Sequence, residues 1–328
     1  MDFEVRRDDL RATRVVDGSE GNVRIDRFAL TANNVTYAVM GDAMRYWTFF
    51  PAAEDGWGRV PAWGVGEVLD TGETIYGLFP MASHVTLELD DGLVDRAEHR
   101  RALAPFYNRY LRSPADAEHV DETLLLRPLF ATAFLLQDFL GDDEDPVVLG
   151  SASSKTAYSL AFLLRRAGRP VVGLTSPRNR SFVEALGVYD RVLGYDEVSE
   201  LPGAPLVFVD MAGDGQVRAA VHATGKLRRS VAVGATHWER LASGAGDPRA
   251  PEPEPFFAPA HLDRMSEAIG AAELQRRLDA VWVPFVGRLG RWLEVEEHAG
   301  PDALERVWRS LVDGEADPSR GHIVRVPG

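Results

Sequence analysis

Short apolar runs alternate with helical stretches between residues 146 and 235, and this rhythm constrains the fold more than any other feature of the sequence. The runs are apolar at every position rather than at every second position, which is typical of strands buried on both faces. Such strands form parallel sheets that are covered by helices. We therefore predict a doubly wound parallel sheet in an α/β fold, with strands at 147–149, 171–175, 191–193, 206–210 and 230–235 and helices at 154–167, 178–186 and 216–224.

Residues 1–90 follow a different pattern. The segments "RIDRFALTANNV" (24–35) and "SHVTLEL" (83–89) alternate apolar and polar residues, and "AWGVGEVLDTG" (62–72) is a strand pair punctuated by glycines. Alternation of this kind predicts half-buried strands. A chain of 328 residues is long enough for two domains, of which the first is rich in strands. We further predict a largely buried helix at 123–140, helices at 261–279 and 302–313, and a final strand at 321–326.

The stretch "DPVVLGSASSKTAYSLAFLLRRAGRPVVGLTSPRN" (145–179) reads as a strand, a tight turn, a helix and a second strand. Such a turn forms an anion site from backbone N–H groups and the positive end of the helix dipole. Of the G-x-G-x-x-G pattern of dinucleotide-binding turns, only the first glycine, Gly150, is present. The residues that follow are small and rich in hydroxyls, and Lys155 is one of only two lysines in the chain.

Two other interpretations of this turn remain open. It can be an ordinary strand-to-helix turn in which a serine caps the helix. It can also be a degenerate P-loop, because Lys155 and Thr156 follow a strand as in G-x-x-x-x-G-K-[ST]. The P-loop spacing is one residue short, Ser154 stands where the motif has glycine, and Asp210 at the end of "LVFVD" is the candidate magnesium ligand.

The end of the second strand indicates which dinucleotide would fit. In such sites an acidic residue about 20 positions after the glycine turn binds the adenosine ribose, whereas a basic residue there accommodates a 2′-phosphate. After "VVGL" the chain continues Thr-Ser-Pro-Arg-Asn-Arg, without an acidic residue. Ser176 and Arg178 are able to bond a 2′-phosphate, so the sequence favours NADP(H) over NAD(H). The alternative is that both are plain surface residues of a loop.

Charge and composition exclude several classes of partner. The net charge of −14 argues against nucleic acid or an anionic membrane as the main partner, although a local basic patch could still bind a small anion. We expect a small-molecule substrate. The absence of cysteine excludes disulfides and thiolate metal sites, and the eight histidines show no metal-ligand spacing, so we predict no metal site. The N-terminal segment has no apolar stretch typical of a signal peptide, and we expect a cytoplasmic protein.

Several segments together resemble the medium-chain dehydrogenase/reductase superfamily, particularly its zinc-free quinone oxidoreductase and enoyl reductase branches. "VPAWGVGEVLDTG" resembles the P-x-x-x-G-x-G-x-V strand pair of that superfamily, and "LFATAFLL" resembles its domain-joining helix. "LGVYDRVLGY" resembles the segment after the second helix of its nucleotide-binding domain. The Ser-Ser-Lys-Thr turn is similar to an uncharacterised branch, a domain of unknown function.

The resemblance implies a fold and a set of binding residues. It implies a GroES-like domain formed by residues 1–120 and 269–328, a Rossmann domain at 121–268, a cleft where they meet, and commonly a homodimer. It implies NADP(H) as cofactor, with the pyrophosphate at the turn and the nicotinamide passing the strand end near Gly234 and Ala235. The implied cofactor-binding residues are Thr132, Gly150, Ser151, Ala152, Ser153, Ser154, Lys155, Thr156, Ser176, Arg178, Tyr195 and Gly234.

The candidates for catalysis lie in "TANNVTY" and "YWTFFP". Conjugate reduction needs a hydride donor, a group that stabilises the developing enolate oxygen, and a proton source. Asn34 is the candidate donor to the carbonyl oxygen, and Tyr37 or Tyr46 is the candidate proton donor. The alternative is that Asn34 is a turn residue and that the aromatic segment is plain core or a lid. Tyr37 stands where the superfamily has aspartate.

Two functions follow from this sequence. The first is an NADP(H)-dependent, metal-free oxidoreductase that reduces a conjugated alkene, a quinone or a related carbonyl compound. The second is a sensor or structural protein that binds NADP(H) on the same fold without turnover, an interpretation supported by the missing aspartate and the missing zinc ligands.

Overall fold

A computed structural model describes residues 1–18, 20–113, 118–203, 205–233 and 250–326. The chain forms two compact units: unit 1 comprises Met1–Leu125 and Glu294–Gly328, and unit 2 comprises Leu126–Leu293. The predicted domain boundaries differ from these units most at the second crossing, because residues 269–293 lie in unit 2.

Aromatic packing explains the position of residues 269–293. Helix α7 (Ala271–Val286) places Trp282 and Phe285 against Phe130 of unit 2, with ring centroids 5.3 and 4.6 Å apart. Phe285 also lies 5.2 Å from the ring of Phe162, and it is fully buried. Burial of such large rings contributes about 1.5–3 kcal/mol each, so this segment is held in unit 2.

Unit 1 contains two sheets. Its strands are β1 (Asp2–Arg6), β2 (Thr13–Val16), β3 (Val23–Leu30), β4 (Trp57–Gly58), β5 (Pro61–Val68), β6 (Glu73–Pro80), β7 (His84–Val85), β8 (Leu111–Arg112), β15 (Glu294–Ala299) and β16 (Arg320–Arg325). The smaller sheet has the order β2-β1-β4, and the seven-stranded sheet has the order β15-β16-β3-β5-β6-β8, with β7 paired to β3. The pairings are antiparallel except that of β15 with β16, which is parallel.

The helices of unit 1 include α1 (Ala32–Val39) and α8 (Pro301–Val312). The strand predicted from the alternation over 24–35 is wrong in its second half, because β3 ends at Leu30 and α1 follows. Thr31 caps this helix: its hydroxyl accepts a hydrogen bond from the N–H of Asn33 at 3.3 Å, while the Asn34 side chain accepts one from the N–H of Thr31 at 2.8 Å. This reciprocal capping starts a helix despite the alternating pattern.

Unit 2 contains the predicted parallel sheet. Its strands are β9 (Val147–Leu149), β10 (Val171–Thr175), β11 (Arg191–Gly194), β12 (Leu206–Asp210), β13 (Leu227–Ala232) and β14 (Glu254–Pro255). Its helices are α3 (Lys155–Arg166), α4 (Arg180–Leu186), α5 (Gly215–Ala223), α6 (Ala258–Ile269) and α7, and α2 (Val120–Leu140) enters it from unit 1. The strand order β11-β10-β9-β12-β13-β14 is that of a doubly wound nucleotide-binding fold, and the predicted fold class is confirmed.

Two elements of unit 2 differ clearly from the predictions. The strand predicted at 230–235 is observed at Leu227–Ala232, and the single helix predicted at 261–279 is two helices. The break falls at Gly270, whose φ of +84° lies in the region that favours glycine. A helix cannot continue through a residue in that conformation, so α6 ends there and α7 begins.

Among the described residues, α2 alone is long and apolar enough to span a membrane by length and composition. Of its most apolar window, 56% is buried inside the protein. A core helix passes the same test of length and composition, and the contacts of Phe130 with α7 identify α2 as such a helix.

Candidate functional site

The turn between β9 and α3 lies at the carboxyl edge of the parallel sheet. Strand β9 is flanked by β10 on one side and β12 on the other, so the chain leaves β9 at the point where the strand order reverses direction. Ligands of open α/β sheets bind at this kind of position, outside the carboxyl ends of the strands. The structure therefore places residues 150–156 where a nucleotide would bind in this fold.

Backbone hydrogen bonds fix the turn to both neighbouring strands. The N–H of Gly150 donates to the carbonyl of Val209 at 2.9 Å, and the N–H of Ala152 donates to the carbonyl of Leu174 at 2.9 Å. Ser151, between them, has a φ of +51°, a conformation that costs a non-glycine residue on the order of 1–3 kcal/mol. Because these two N–H groups are already bonded, an anion would be bound by the rest of the turn and the start of α3.

Ala152 stands where the dinucleotide pattern has its second glycine, and it is fully buried. The methyl group is accommodated by Gly173 on β10, because a Cβ at Gly173 would lie 2.8 Å from the Cβ of Ala152. Tyr189 also contacts this residue, because its hydroxyl donates a hydrogen bond to the carbonyl of Ala152 at 2.7 Å. The structure thus gives Ala152 a packing role within the predicted site.

The first turn of α3 carries the polar part of the predicted site. Ser154 is the N-cap, and its hydroxyl accepts a hydrogen bond from the N–H of Ala157 at 3.2 Å. Lys155 and Thr156 follow it in the first turn, where both are half-buried. Lys155 thus stands in the turn of α3 that carries the positive end of the helix dipole, and both charges favour an anionic ligand.

The loop after β10 contacts the turn directly. The side-chain amide of Asn179 donates to the hydroxyl of Ser153 at 3.1 Å. Ser176 and Arg178 belong to the same loop, with Ser176 half-buried and Arg178 exposed. Sequence reasoning missed Asn179, although it lies in the Thr-Ser-Pro-Arg-Asn-Arg segment, because no pattern indicates which loop residue bridges to the turn.

Tyr195 follows β11 and lies over the turn. Its hydroxyl lies 3.5 Å from that of Ser151. Burial raises the pKa of Tyr195, so the residue presents a neutral hydroxyl to the turn. Among the predicted binding residues, the structure therefore brings Ser151 and Tyr195 together.

Asp210, the candidate magnesium ligand of the P-loop interpretation, is engaged in its own turn. One carboxylate oxygen accepts hydrogen bonds from the N–H groups of Ala212 at 3.2 Å and Gly213 at 2.8 Å. The other oxygen lies 3.4 Å from the guanidinium of Arg218. Burial raises the pKa of Asp210, while the hydrogen bonds from Gly213 and Ala212 and the charge of Arg218 act against the rise.

Thr132 and Gly234 complete the set of predicted binding residues. Thr132 is half-buried on α2, and its hydroxyl donates to the carbonyl of Pro128 at 3.0 Å. That bond ties the hydroxyl to its own helix. Gly234, together with Ala235, lies outside the described residues.

The side chain of Asn34, in unit 1, forms hydrogen bonds with the backbone of two segments. Besides accepting from Thr31, it donates from its amide to the carbonyl of Pro61 on β5 at 2.8 Å, and it is 4% exposed. These bonds cap α1 and tie it to β5. The structure thus gives Asn34 a structural role, and a carbonyl ligand would have to use its remaining amide hydrogen.

Tyr37 and Tyr46 belong to a tyrosine cluster that also contains Tyr107 and Trp63. The rings of Tyr37 and Tyr46 have centroids 4.5 Å apart, and the hydroxyls of Tyr46 and Tyr107 are 3.1 Å apart. The indole N–H of Trp63 donates to the hydroxyl of Tyr37 at 3.3 Å. Sequence reasoning missed Tyr107, because it lies far along the chain from Tyr37 and Tyr46 and in no recognisable motif.

Burial dominates the acid–base properties of the tyrosine cluster. It raises the pKa of Tyr37, although hydrogen bonds from Trp63 and others act against the rise. It also raises the pKa of Tyr46 and, well above its ordinary value, that of Tyr107. The phenols therefore stay protonated at neutral pH, as proton donors must, and none of them is suited to act as a base.

Comparison with known proteins gives a family and a fold. A family model described as a protein of unknown function (DUF2855) matches residues 28–317. No curated protein matches the sequence.

Similar solved structures cover the whole chain at low sequence identity. CurA from Vibrio vulnificus in complex with NADPH has a TM-score of 0.61 and 13% identity, over 97% of this chain and 94% of that chain. A quinone oxidoreductase from Coxiella burnetii has a TM-score of 0.58 and 13% identity, over 99% of each chain. YhdH from E. coli K-12 with bound NADPH has a TM-score of 0.57 and 14% identity, over 100% of each chain. This chain therefore has the fold of the medium-chain dehydrogenase/reductase superfamily, and the resemblance found in the sequence is confirmed at the level of the fold.

Proposed function

The chain belongs to the DUF2855 family of proteins of unknown function, and from that premise we propose that it is an NADP(H)-dependent oxidoreductase that uses no metal in hydride transfer. The observation that supports the proposal most is the placement of Lys155 in the first turn of α3, together with the Asn179–Ser153 hydrogen bond, which joins the turn to the loop of Ser176 and Arg178. Solved proteins of the same fold that hold NADPH add support for this cofactor.

The residues of unit 2 fit such a cofactor. The pyrophosphate would be held at the first turn of α3 by Lys155 and Thr156, with Ser151 and Ser153 beside it. The 2′-phosphate would be held by Ser176 and Arg178, where the loop has no acidic residue to repel it. We therefore propose NADP(H) rather than NAD(H).

For the substrate we propose a conjugated alkene, a quinone or a related carbonyl compound. When bound, NADPH supplies the hydride and leaves as NADP⁺, and one proton must be added to complete the reduction. The tyrosine cluster contains phenols that hold their protons, and Tyr46 and Tyr107 are hydrogen-bonded to each other, so loss of one proton is shared by two hydroxyls. We propose the tyrosine cluster as the proton source.

A non-catalytic NADP(H)-binding protein is the second candidate. Two observations favour it: Asn34 is engaged by backbone groups, and Tyr37, Tyr46 and Tyr107 are 5%, 4% and 6% exposed. A sensor would keep the binding site at α3 and have no need for an accessible proton donor.

The first experiment is a calorimetric titration of the purified protein with NADPH, NADH and ATP–magnesium. We expect preference for NADPH. Arg178→Ala should lower the affinity for NADPH about tenfold and leave that for NADH unchanged, because only NADPH carries the 2′-phosphate. Lys155→Ala should weaken both dinucleotides. Arg166→Ala, at the opposite end of α3, is the matched control and should change neither.

The outcomes separate the interpretations of the turn. Binding of ATP–magnesium alone would support the degenerate P-loop, and no binding would leave an ordinary serine-capped turn. If NADPH binds, its oxidation is measured with activated alkenes and quinones. Turnover that falls in both Tyr46→Phe and Tyr107→Phe supports the reductase, whereas tight binding without oxidation across a broad panel supports the sensor.

A further inference from the structure

Two histidines that are far apart in the sequence meet on neighbouring strands of unit 1. Nε2 of His298 on β15 lies 3.0 Å from Nδ1 of His322 on β16. A carboxylate oxygen of Glu296 lies 3.5 Å from the same nitrogen of His322 and 4.0 Å from that of His298. These three side chains form what we call the β15–β16 triad.

Sheet register explains why the three side chains share one face. Strands β15 and β16 are parallel, and Glu296 is directly opposite His322. Glu296 and His298 are two positions apart on one strand, so both side chains point to the same side of the sheet. The backbone therefore fixes the three donor atoms relative to one another without any loop.

The spacing of the donor atoms is that of a metal-ligand set. With bonds of about 2.0–2.2 Å from zinc to nitrogen or oxygen, two ligands at a tetrahedral angle are roughly 3.3 Å apart. The three separations in the triad bracket this value, and all the donor atoms lie within 4.8 Å of one another. A hydrogen bond between the imidazoles explains the shortest separation by itself, but it does not explain why the carboxylate converges on the same point.

The ion pair of Glu296 and the exposure of the three side chains both bear on how an ion could bind. Arg320 forms an ion pair with Oε1 of Glu296, whereas it is Oε2 that lies nearest both imidazoles. The side chains of Glu296, His298 and His322 are 26%, 20% and 10% exposed, so an ion can enter from solvent.

We propose that the β15–β16 triad binds a divalent transition-metal ion, zinc being the best fit, through two imidazole nitrogens and one carboxylate oxygen. Two histidines and one glutamate form a known three-ligand set for zinc, with water completing the coordination. Because the ligands come from both strands, the ion would join the edge strand β15 to β16. The proposal does not depend on the function proposed above.

The test uses tag-free, chelator-treated protein titrated with Co²⁺, followed by displacement with Zn²⁺. We expect visible d–d absorption that saturates at one Co²⁺ per chain and is abolished by one equivalent of Zn²⁺. His298→Gln and Glu296→Gln should each weaken binding at least about tenfold. His99→Gln changes an exposed histidine of the same unit and should leave binding unchanged.

A second measurement needs no variant. X-ray absorption of the zinc-loaded wild-type protein should show a nitrogen and oxygen shell with two imidazoles. Absence of stoichiometric binding, equal affinity in wild type and both triad variants, or a shell with fewer than two imidazoles would each overturn the proposal. Circular dichroism of each variant, which we expect to match the wild type, establishes that any lost binding is not lost folding.

Discussion

A methyl group at position 173 should disturb the turn between β9 and α3. The Cβ of Gly173→Ala would lie 2.8 Å from the Cβ of Ala152, and 3.0 and 3.1 Å from two ring carbons of Tyr189. Ordinary contacts of this kind begin near 3.4 Å, so the turn would have to move by about 0.6 Å. Overpacking of this size costs about 1–3 kcal/mol of the free energy of unfolding.

A double-mutant cycle isolates the contact. Ala152→Gly removes the opposing methyl group, so the double variant Ala152→Gly/Gly173→Ala should be more stable than the sum of the single effects, by at least about 0.5 kcal/mol. The contact with Tyr189 remains in the double variant, and rescue should therefore be incomplete. Gly203→Ala is the control, because a Cβ there meets nothing within 4 Å and its effect should stay within about 0.5 kcal/mol.

The assay is urea denaturation of the four proteins in the cycle and of the control, together with titration by NADPH. We expect Gly173→Ala to weaken NADPH binding about tenfold, because a binding turn displaced by more than half an ångström loses its geometry. The reasoning fails if Gly173→Ala is as stable as the wild type, or if Ala152→Gly gives no rescue. The denaturation result stands whether or not NADPH is the ligand.

Three further predictions concern the tyrosines and the N-cap of α3. Seven of the eight tyrosines have a raised pKa, so native protein at about pH 11 should show far less tyrosinate absorbance than unfolded protein. The free energy of unfolding should also fall as the pH rises above about 10, because the tyrosines of the unfolded chain begin to ionise there. Equal tyrosinate absorbance of native and unfolded protein would contradict this prediction. Tyr158→Phe should leave the free energy of unfolding unchanged or raise it by about 1 kcal/mol in urea denaturation, because the buried hydroxyl of Tyr158 has no hydrogen-bond partner among the described residues. A loss of stability would show that this hydroxyl has a partner. Ser154→Ala should lower the free energy of unfolding by about 1 kcal/mol through loss of the α3 cap, whereas Ser154→Gly should cost only a few tenths, and equal costs would argue against the cap.

The sequence by itself determined the parallel sheet of unit 2. Strands at 147–149, 171–175 and 206–210 occur where the apolar runs predicted them, because a strand buried on both faces must be apolar throughout. The serine cap of α3 could also be predicted from the sequence, because it depends on residues that are close to one another in the chain. Where a local signal competed with a pattern, as at Thr31 and Gly270, the boundary moved.

Tertiary structure alone decided which distant side chains meet. Asn179 donates a hydrogen bond to Ser153, and Gly173 leaves space for the methyl group of Ala152. Tyr107 contacts Tyr37 and Tyr46. None of these contacts produces a periodic pattern in the sequence.

The β15–β16 triad shows the same limit most plainly. His298 and His322 are 24 residues apart, and the histidine spacing alone predicted no metal site. Only the register of these two parallel strands, which α8 connects along the chain, brings their imidazoles within 3.0 Å. Spacing along a chain reports contacts within one helix or strand, and contacts between strands are fixed by the fold.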